Sequence, residues 1–197
     1  YKSFGTTPDD GGYHLTYKSD FGCAELPLSA AQRADMTSQG RVPLHFPMVL
    51  GAIGIFVKMP KYTSVCPNGC APQNGLRLTK ELLARIFTGN ITTWGHADIV
   101  AENPGWNNIP PGNIYVLHRA KGSSSTYLTS QYLNEAGANI WPLGVSSYFP
   151  TCAAGTEPSN INKCWFSGSH AAATSGKVAA GLEANDNAIA YLDAGHG

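Results

Sequence analysis

Val116-Leu117-His118-Arg119-Ala120-Lys121-Gly122-Ser123-Ser124-Ser125-Thr126 leads from an apolar stretch through a glycine into four consecutive hydroxyl residues. Ile114 to His118 alternates as a strand, Gly122 turns the chain, and Tyr127 to Ala136 is expected to be helical, stopping at Gly137. A strand that delivers Arg119 ahead of a hydroxyl-rich helix start has the makings of an anion cradle. The first N–H groups of a helix lack intrahelical partners, and the helix dipole favours negative charge there. Serine hydroxyls add donors, and the planar guanidinium of Arg119 can grip two oxygens at once. The same pattern also fits a capped helix with a solvated Arg119 and Lys121.

Further along the chain in both directions, strands alternate with helices. Thr79 to Phe87 reads as an amphipathic helix, with Leu82, Leu83, Ile86 and Phe87 at helical spacing, Thr79 as N-cap and Gly89 as terminator. The Ala-rich stretch from Ala171 to Ala184 is expected to form another helix, followed by a closing strand from Asn187 to Asp193. Val49 to Val57 reads as a buried, β-branched strand within the longest apolar run, Phe46 to Val57. That run is too short for a membrane helix, which needs about 20 residues. Residues 1–12 form a loop of small and hydroxyl side chains, and Asp20 to Leu28 starts as a short strand that ends in a proline turn. Alternation of this kind predicts α/β layers.

Hydrophobic residues make up 43% of the 197 and charged residues 13%, the balance of a globular protein. Thirteen basic side chains offset thirteen acidic ones, which argues against a nucleic-acid or anionic-membrane binder. The five cysteines match no common zinc spacing. Cys66 with Cys70 and Cys152 with Cys164 are expected to form two local disulfides, and hence to report an oxidising compartment. Cys23 is left over, either a buried free thiol or a bond to another chain. Asn90-Ile91-Thr92 is an N-glycosylation sequon, which fits secretion to the extracellular space, cell surface, matrix or periplasm. A start at Tyr1 reads as a processed product or a fragment of a longer precursor.

Catalytic and cofactor signatures do not assemble. There is no Gly-x-Ser-x-Gly elbow, Gly176-Lys177 lacks the spacing of a phosphate-binding P-loop, and no His-Glu-x-x-His pair is present. The six histidines are expected at the surface or at strand edges, and Trp94, Trp106, Trp141 and Trp165 as core or loop anchors. No nucleophile, base and orienting group can be named together, so the chain is read as a non-enzyme without cofactor or metal.

Asp20-Phe21-Gly22-Cys23-Ala24-Glu25-Leu26-Pro27-Leu28 resembles the Asp-Phe-Gly-x-x-Asp-x-Pro-Leu motif of phosphate-binding proteins from ABC uptake systems. Ile86 to Trp94 is similar to that family's helix-end signature. Ile114 to Thr126, Trp141-Pro142-Leu143-Gly144 and Ala188-Ile189-Ala190-Tyr191 follow in the family's order. The resemblance implies a type II periplasmic-binding-protein fold, with two α/β lobes and phosphate held between them. Residues 1–60 would be a first lobe and residues 61–197 a second lobe carrying the Arg119 loop. Thr6 stands where the family has a phosphate-donating Ser, and Glu25 where an Asp accepts the proton of hydrogen phosphate. Arg119 matches the binding Arg, Ser123 the following Ser, and Ser124 with Ser125 the Gly-Thr pair at the helix start. Lys121 replaces a second Asp.

These exchanges lengthen the acceptor arm by a methylene at Glu25, crowd the backbone at Ser124 and add positive charge at Lys121, which favours a more highly charged anion. The family's N-terminal Thr-Phe-Pro segment and C-terminal return have no counterpart here. The first lobe is therefore expected to be incomplete, to be completed by another chain or domain or left open. Two functions follow: an extracellular phosphate or oxyanion binder, or a structural or adhesive module that keeps the fold with its ligand site lost or altered.

Overall fold

The chain divides between Leu50 and Gly51 into two units in the computed structural model, which describes residues 23–61, 64 and 66–196. In the first unit, helix α1 spans Ala30–Ser38. Ser29 caps it in reciprocal fashion: its hydroxyl accepts from the Gln32 N–H, while the Gln32 side chain accepts from the Ser29 N–H at 2.8 Å. Sequence reading overlooked this helix because it buries only Met36 and so carries little apolar periodicity.

The residues after α1 depart from expectation. Phe46, Met48, Val49 and Leu50 are 75 to 98% exposed and belong to no regular element, although Phe46 to Val57 reads as one buried strand. Pro43 and Pro47 each remove a backbone donor, which weakens ladder formation at this point. The strand is confined to Ile53–Lys58 (β1), and it is half-buried.

The second unit is built on a four-stranded sheet. After β1 come α2 (Lys80–Phe87), α3 (Ala97–Glu102), β2 (Tyr115–Arg119), α4 (Ser124–Asn134), β3 (His170–Ala172), α5 (Ser175–Ala184) and β4 (Ala188–Asp193), with a 3-10 turn over Ala194–His196. Strand order is β1-β4-β2-β3. The central strand β2 runs parallel to β4, with Val116 opposite Ile189, and parallel to β3, with His118 opposite Ala171. The edge strand β1 runs antiparallel to β4, pairing Ile55 with Tyr191.

Period-two alternation divides the sheet between two layers. Val116, Ile189 and Tyr191, with Ile53, Ile55 and Val57, face Leu82, Leu83, Ile86 and Phe87 of α2 and Leu133 of α4. Leu117, Ala188, Ala190 and Leu192 face the opposite layer, where Val178 of α5 is fully buried. There α5 approaches so closely that a Cβ on Gly181 would stand 2.9 Å from Leu117 Cδ2. The helix α2 matches its sequence reading: Thr79 Oγ1 accepts from Leu82 N–H at 3.3 Å, and Gly89 takes a positive φ of 81° just beyond the end.

Two helices have corrected bounds. The Ala-rich stretch is not helical from Ala171, because His170–Ala172 pairs with β2 and the helix begins only at Ser175. Helix α4 begins at Ser124, three residues before the first residue assigned to it from sequence. All four tryptophans are buried, and Trp165 stacks on His118 and Tyr191, tilts against Phe87 and meets Trp141 and Phe149 edge-on.

Cys66–Cys70 and Cys152–Cys164 are disulfide-bonded, and Cys23 is free and exposed rather than buried. Each bridge secures a tryptophan. The Cys70 carbonyl accepts from Trp106 Nε1 at 2.9 Å, while Cys152 N–H donates to the Trp165 carbonyl at 2.7 Å. Replacing Cys152 and Cys164 by serine is expected to cost about 3 kcal/mol, as for a loop of comparable length. A lowered urea midpoint for the second unit checks this, and an unchanged midpoint contradicts it.

Candidate functional site

Arg119 ends β2 at the carboxyl edge of the parallel strands, where α/β sheets open onto their ligands. Its backbone N–H donates to the Tyr191 hydroxyl at 3.1 Å, which ties it to β4. Ala120 N–H donates to Ala172 O at 2.8 Å and ties the turn to β3. The guanidinium Nη1 donates to Ser175 Oγ at 3.0 Å. The guanidinium Nε is buried and has no hydrogen-bond partner among the described residues. Nor does any carboxylate form an ion pair with Arg119 among them; the ion pairs lie at Lys58, Lys80, Arg85 and His96.

Ser123 caps α4, its Oγ accepting from Thr126 N–H at 3.1 Å. Its own N–H donates to Ser147 O at 2.9 Å, which anchors the turn to the following loop. Ser123 Oγ stands 2.9 Å from Ser125 Oγ and 3.2 Å from Thr126 Oγ1, and Thr126 Oγ1 stands 2.7 Å from the Tyr191 hydroxyl. Ser125 and Thr126 are buried, Ser124 half-buried and Lys121 exposed. The structure thus brings Arg119 and Ser123 to Ser125 into one turn at the end of β2.

A second helix start meets the same arginine. Thr174 caps α5, accepting from Lys177 N–H at 3.2 Å, and Ser175 is the first helical residue. Two helix N-termini therefore follow neighbouring parallel strands, and a guanidinium without a carboxylate partner among the described residues donates to the first residue of α5. Helix dipoles and guanidinium all add positive potential, so this arrangement favours an anion.

Sequence reasoning missed Thr126, Ser175 and Tyr191. The available signal for Ser175 was the Thr174-Ser175 pair, a capping pattern hidden by reading the Ala-rich stretch as continuous helix. Tyr191 lay within the expected closing strand, but which face it took depended on pairing with β2. Glu25 is exposed and lies in the first unit, and Thr6 lies outside the described residues. Asn90 is exposed just beyond α2.

His118 is a correction, since it is 1% exposed where a surface or strand-edge position was expected. Its Nδ1 donates to the Arg119 carbonyl at 3.1 Å, Nε2 lies 3.4 Å from Thr151 Oγ1, and the ring stacks on Trp165 at 4.9 Å. Burial lowers its pKa to about 4, so the imidazole is neutral at physiological pH and adds no charge to the site. In the unfolded chain the same group titrates near its ordinary 6.5. Stability is therefore full above pH 6.5 and is lost as pH falls from there towards 4, by about 3 kcal/mol. Equilibrium unfolding of wild type and His118→Gln across this interval checks the sign: the variant is expected to lose less stability on acidification, and parallel curves contradict the assignment.

His170 on the edge strand β3 stacks flat on Tyr115 at 3.6 Å, and its burial likewise lowers its pKa. Among the described residues, no group of three or more His, Cys, Asp or Glu side chains could hold a metal. No helix among them is long and apolar enough to cross a membrane.

Comparison with known proteins gives a consistent set of relatives. The model of a family described as a PBP superfamily domain matches residues 10–197. The phosphate-binding protein PstS of Haemophilus influenzae is 33% identical over 122 residues, covering 62% of this chain and 32% of that protein. The phosphate-binding protein PstS of Xylella fastidiosa is 34% identical over 119 residues, covering 60% and 29%. Among solved structures, an ancestral soluble variant of the human phosphate binding protein aligns at a TM-score of 0.60 and 19% identity, over 85% of this chain and 40% of that one. A phosphate binding protein from Stenotrophomonas maltophilia aligns at 0.54 and 20%, over 84% and 43%. The matched segment spans 32% or less of these two curated relatives and 43% or less of these two structures.

Proposed function

We propose that this chain, which belongs to the PBP superfamily and has its type II α/β fold, binds phosphate as an extracellular or periplasmic binding protein rather than as an enzyme. The observation that carries the reading is Arg119, whose buried Nε has no partner among the described residues, at the start of a helix opened by Ser123, Ser124 and Ser125. An anion there receives donors from the guanidinium, the serine hydroxyls and the first helical N–H groups, and balances a charge that no neighbouring carboxylate neutralises.

Thr6 adds a donor, and Glu25 accepts the proton that hydrogen phosphate retains. The lobe division expected at residues 60 and 61 is proposed instead at Leu50 and Gly51, because β1 pairs with β4 of the second unit. Support comes from the relatives, which are named as phosphate-binding proteins.

The two disulfides and the exposed Asn90 of the Asn90-Ile91-Thr92 sequon favour a secreted glycoprotein. A mass decrease on glycosidase treatment tests the Asn90 modification, and an unaltered mass of the native product rejects it.

Calorimetric titration with phosphate, arsenate and sulfate tests the binding claim. Saturable heat with phosphate and with its tetrahedral analogue arsenate is expected. No heat with any of the three at millimolar concentration would refute it and would favour a module that has kept the fold and lost the ligand.

A further inference from the structure

A chain of hydroxyl groups runs from the backbone of Arg119 into the start of α4. Arg119 N–H lies 3.1 Å from the Tyr191 hydroxyl, which lies 2.7 Å from Thr126 Oγ1. Thr126 Oγ1 lies 3.2 Å from Ser123 Oγ, which lies 2.9 Å from Ser125 Oγ. Each hydroxyl can donate or accept, so distance alone leaves the direction of the hydrogens open.

Two backbone N–H groups set that direction. The Arg119 N–H can only donate, which makes the Tyr191 oxygen an acceptor and leaves the phenol hydrogen for Thr126 Oγ1. With an anion at the helix start this direction pairs every hydrogen, whereas the reverse would bury an unpaired phenol hydrogen at Tyr191, 1% exposed, and turn a lone pair of Ser125, 2% exposed, towards the anion. Thr126 Oγ1, having accepted, passes its own hydrogen to Ser123 Oγ. That oxygen already accepts from the Thr126 N–H at 3.1 Å, so both of its lone pairs are engaged. The Ser123 hydrogen goes to Ser125, and the hydrogen of Ser125 is left at the end of the chain.

Resting on the oxyanion reading of this site, we infer that Tyr191 is a positioning residue that acts through Thr126 and Ser123 to hold Ser125 as a hydrogen-bond donor, so that the helix start recognises a bare oxyanion oxygen rather than a protonated one. The ligand class is narrowed accordingly, to tetrahedral oxyanions that turn deprotonated oxygens towards α4. A proton that the anion keeps must find its acceptor elsewhere, a task the proposed function gives to Glu25.

Of the other charged groups on the neighbouring elements, Asp193 on β4 and Glu183 on α5 form no ion pair with Arg119 among the described residues. Arg119 and Lys121 on β2 and its turn, and Lys177 on α5, offer donors alone. His118 on β2 and His170 on β3 are both driven towards the neutral form by burial. Burial also raises the Tyr191 pKa, so the phenol keeps its hydrogen at neutral pH.

Tyr191→Phe keeps the ring and removes the hydrogen that enters from β4. Thr126 can then take the hydrogen of Ser123, and Ser123 that of Ser125, which turns a lone pair of Ser125 towards the anion. The test is calorimetric titration of the whole chain with inorganic phosphate at pH values on either side of the second phosphate ionisation. Wild-type affinity is expected to rise as phosphate loses that proton. In Tyr191→Phe the high-pH affinity is expected to fall about tenfold, with the rise flattened, as for one lost hydrogen bond to a charged group.

Thr126→Val interrupts the same chain at another point and must flatten the profile too. Thr126→Ser restores the hydroxyl and must restore the wild-type profile. Variants that bind more weakly at every pH while keeping the wild-type slope would overturn the relay and leave Tyr191 a merely structural role. Variants that match wild type would overturn the relay while the oxyanion reading stands. A wild-type chain that binds no phosphate at any pH would remove both.

Discussion

Arg119→Ala is expected to weaken phosphate binding by roughly 10³-fold, the scale for removing one member of a buried charge pair. The guanidinium is the main countercharge in the proposed site, and no carboxylate among the described residues pairs with it. The fold should survive the substitution, because the bonds of residue 119 that hold β2 to β4 and β3 come from its backbone. Arg119→Lys is expected to recover part of the loss, since an ammonium keeps the charge but not the planar two-oxygen grip. Calorimetry reads the affinity and thermal unfolding reads the fold. An Arg119→Ala chain that binds phosphate as wild type does would remove Arg119 from the site.

Trp165→Ala is expected to destabilise the second unit by about 3 to 5 kcal/mol, much of the stability a domain of this size has to lose. Trp165 is 1% exposed and sits among Phe149 at 5.5 Å, Trp141 at 5.8 Å, Phe87 at 6.0 Å and Tyr191 at 6.1 Å, with His118 stacked at 4.9 Å. Removing the ring opens a cavity under both His118 and Tyr191, so packing and site should fail together. Trp165→Phe should cost less, because it keeps an aromatic ring and also removes a buried indole N–H that has no partner among the described residues. Urea unfolding measures both variants, and a Trp165→Ala midpoint equal to wild type would contradict this view of the core.

What the sequence revealed and what it concealed follow from how local each signal is. Helix α2 was legible because Leu82, Leu83, Ile86 and Phe87 mark its buried face and Thr79 and Gly89 mark its ends. The start of α4 was misplaced because serine is a weak helix former in an interior and a strong one at a cap, so Ser124 to Thr126 looked like loop. Strand β3 could not be seen, since three residues of an Ala-rich run carry no periodicity and become a strand only by pairing with Leu117 to Arg119. Exposure of Phe46 to Leu50 was equally hidden, because an apolar run does not state what covers it.

The site divides in the same way. Arg119 and Ser123 to Ser125 are close neighbours in sequence, and a strand, a turn and a cap made the proposed anion cradle one of two readings there, beside an ordinary capped helix. Ser175 and Tyr191 reach that cradle from α5 and β4, across sheet pairings that no local pattern encodes. His118 shows the cost of reading a residue type without its environment. A neutral, stacked histidine beside Arg119 looks, in sequence alone, like one more surface imidazole.

Location of the anion itself is the most direct test of the central claim. A crystal of the chain grown with arsenate, with data collected at the arsenic absorption edge, places the ligand without reference to any assumed contact. The account predicts an anomalous peak that puts the arsenate oxygens within hydrogen-bonding distance of the Arg119 guanidinium and of the Ser123–Ser125 turn. An arsenate bound elsewhere, with the Arg119 turn filled by side chains, would contradict it.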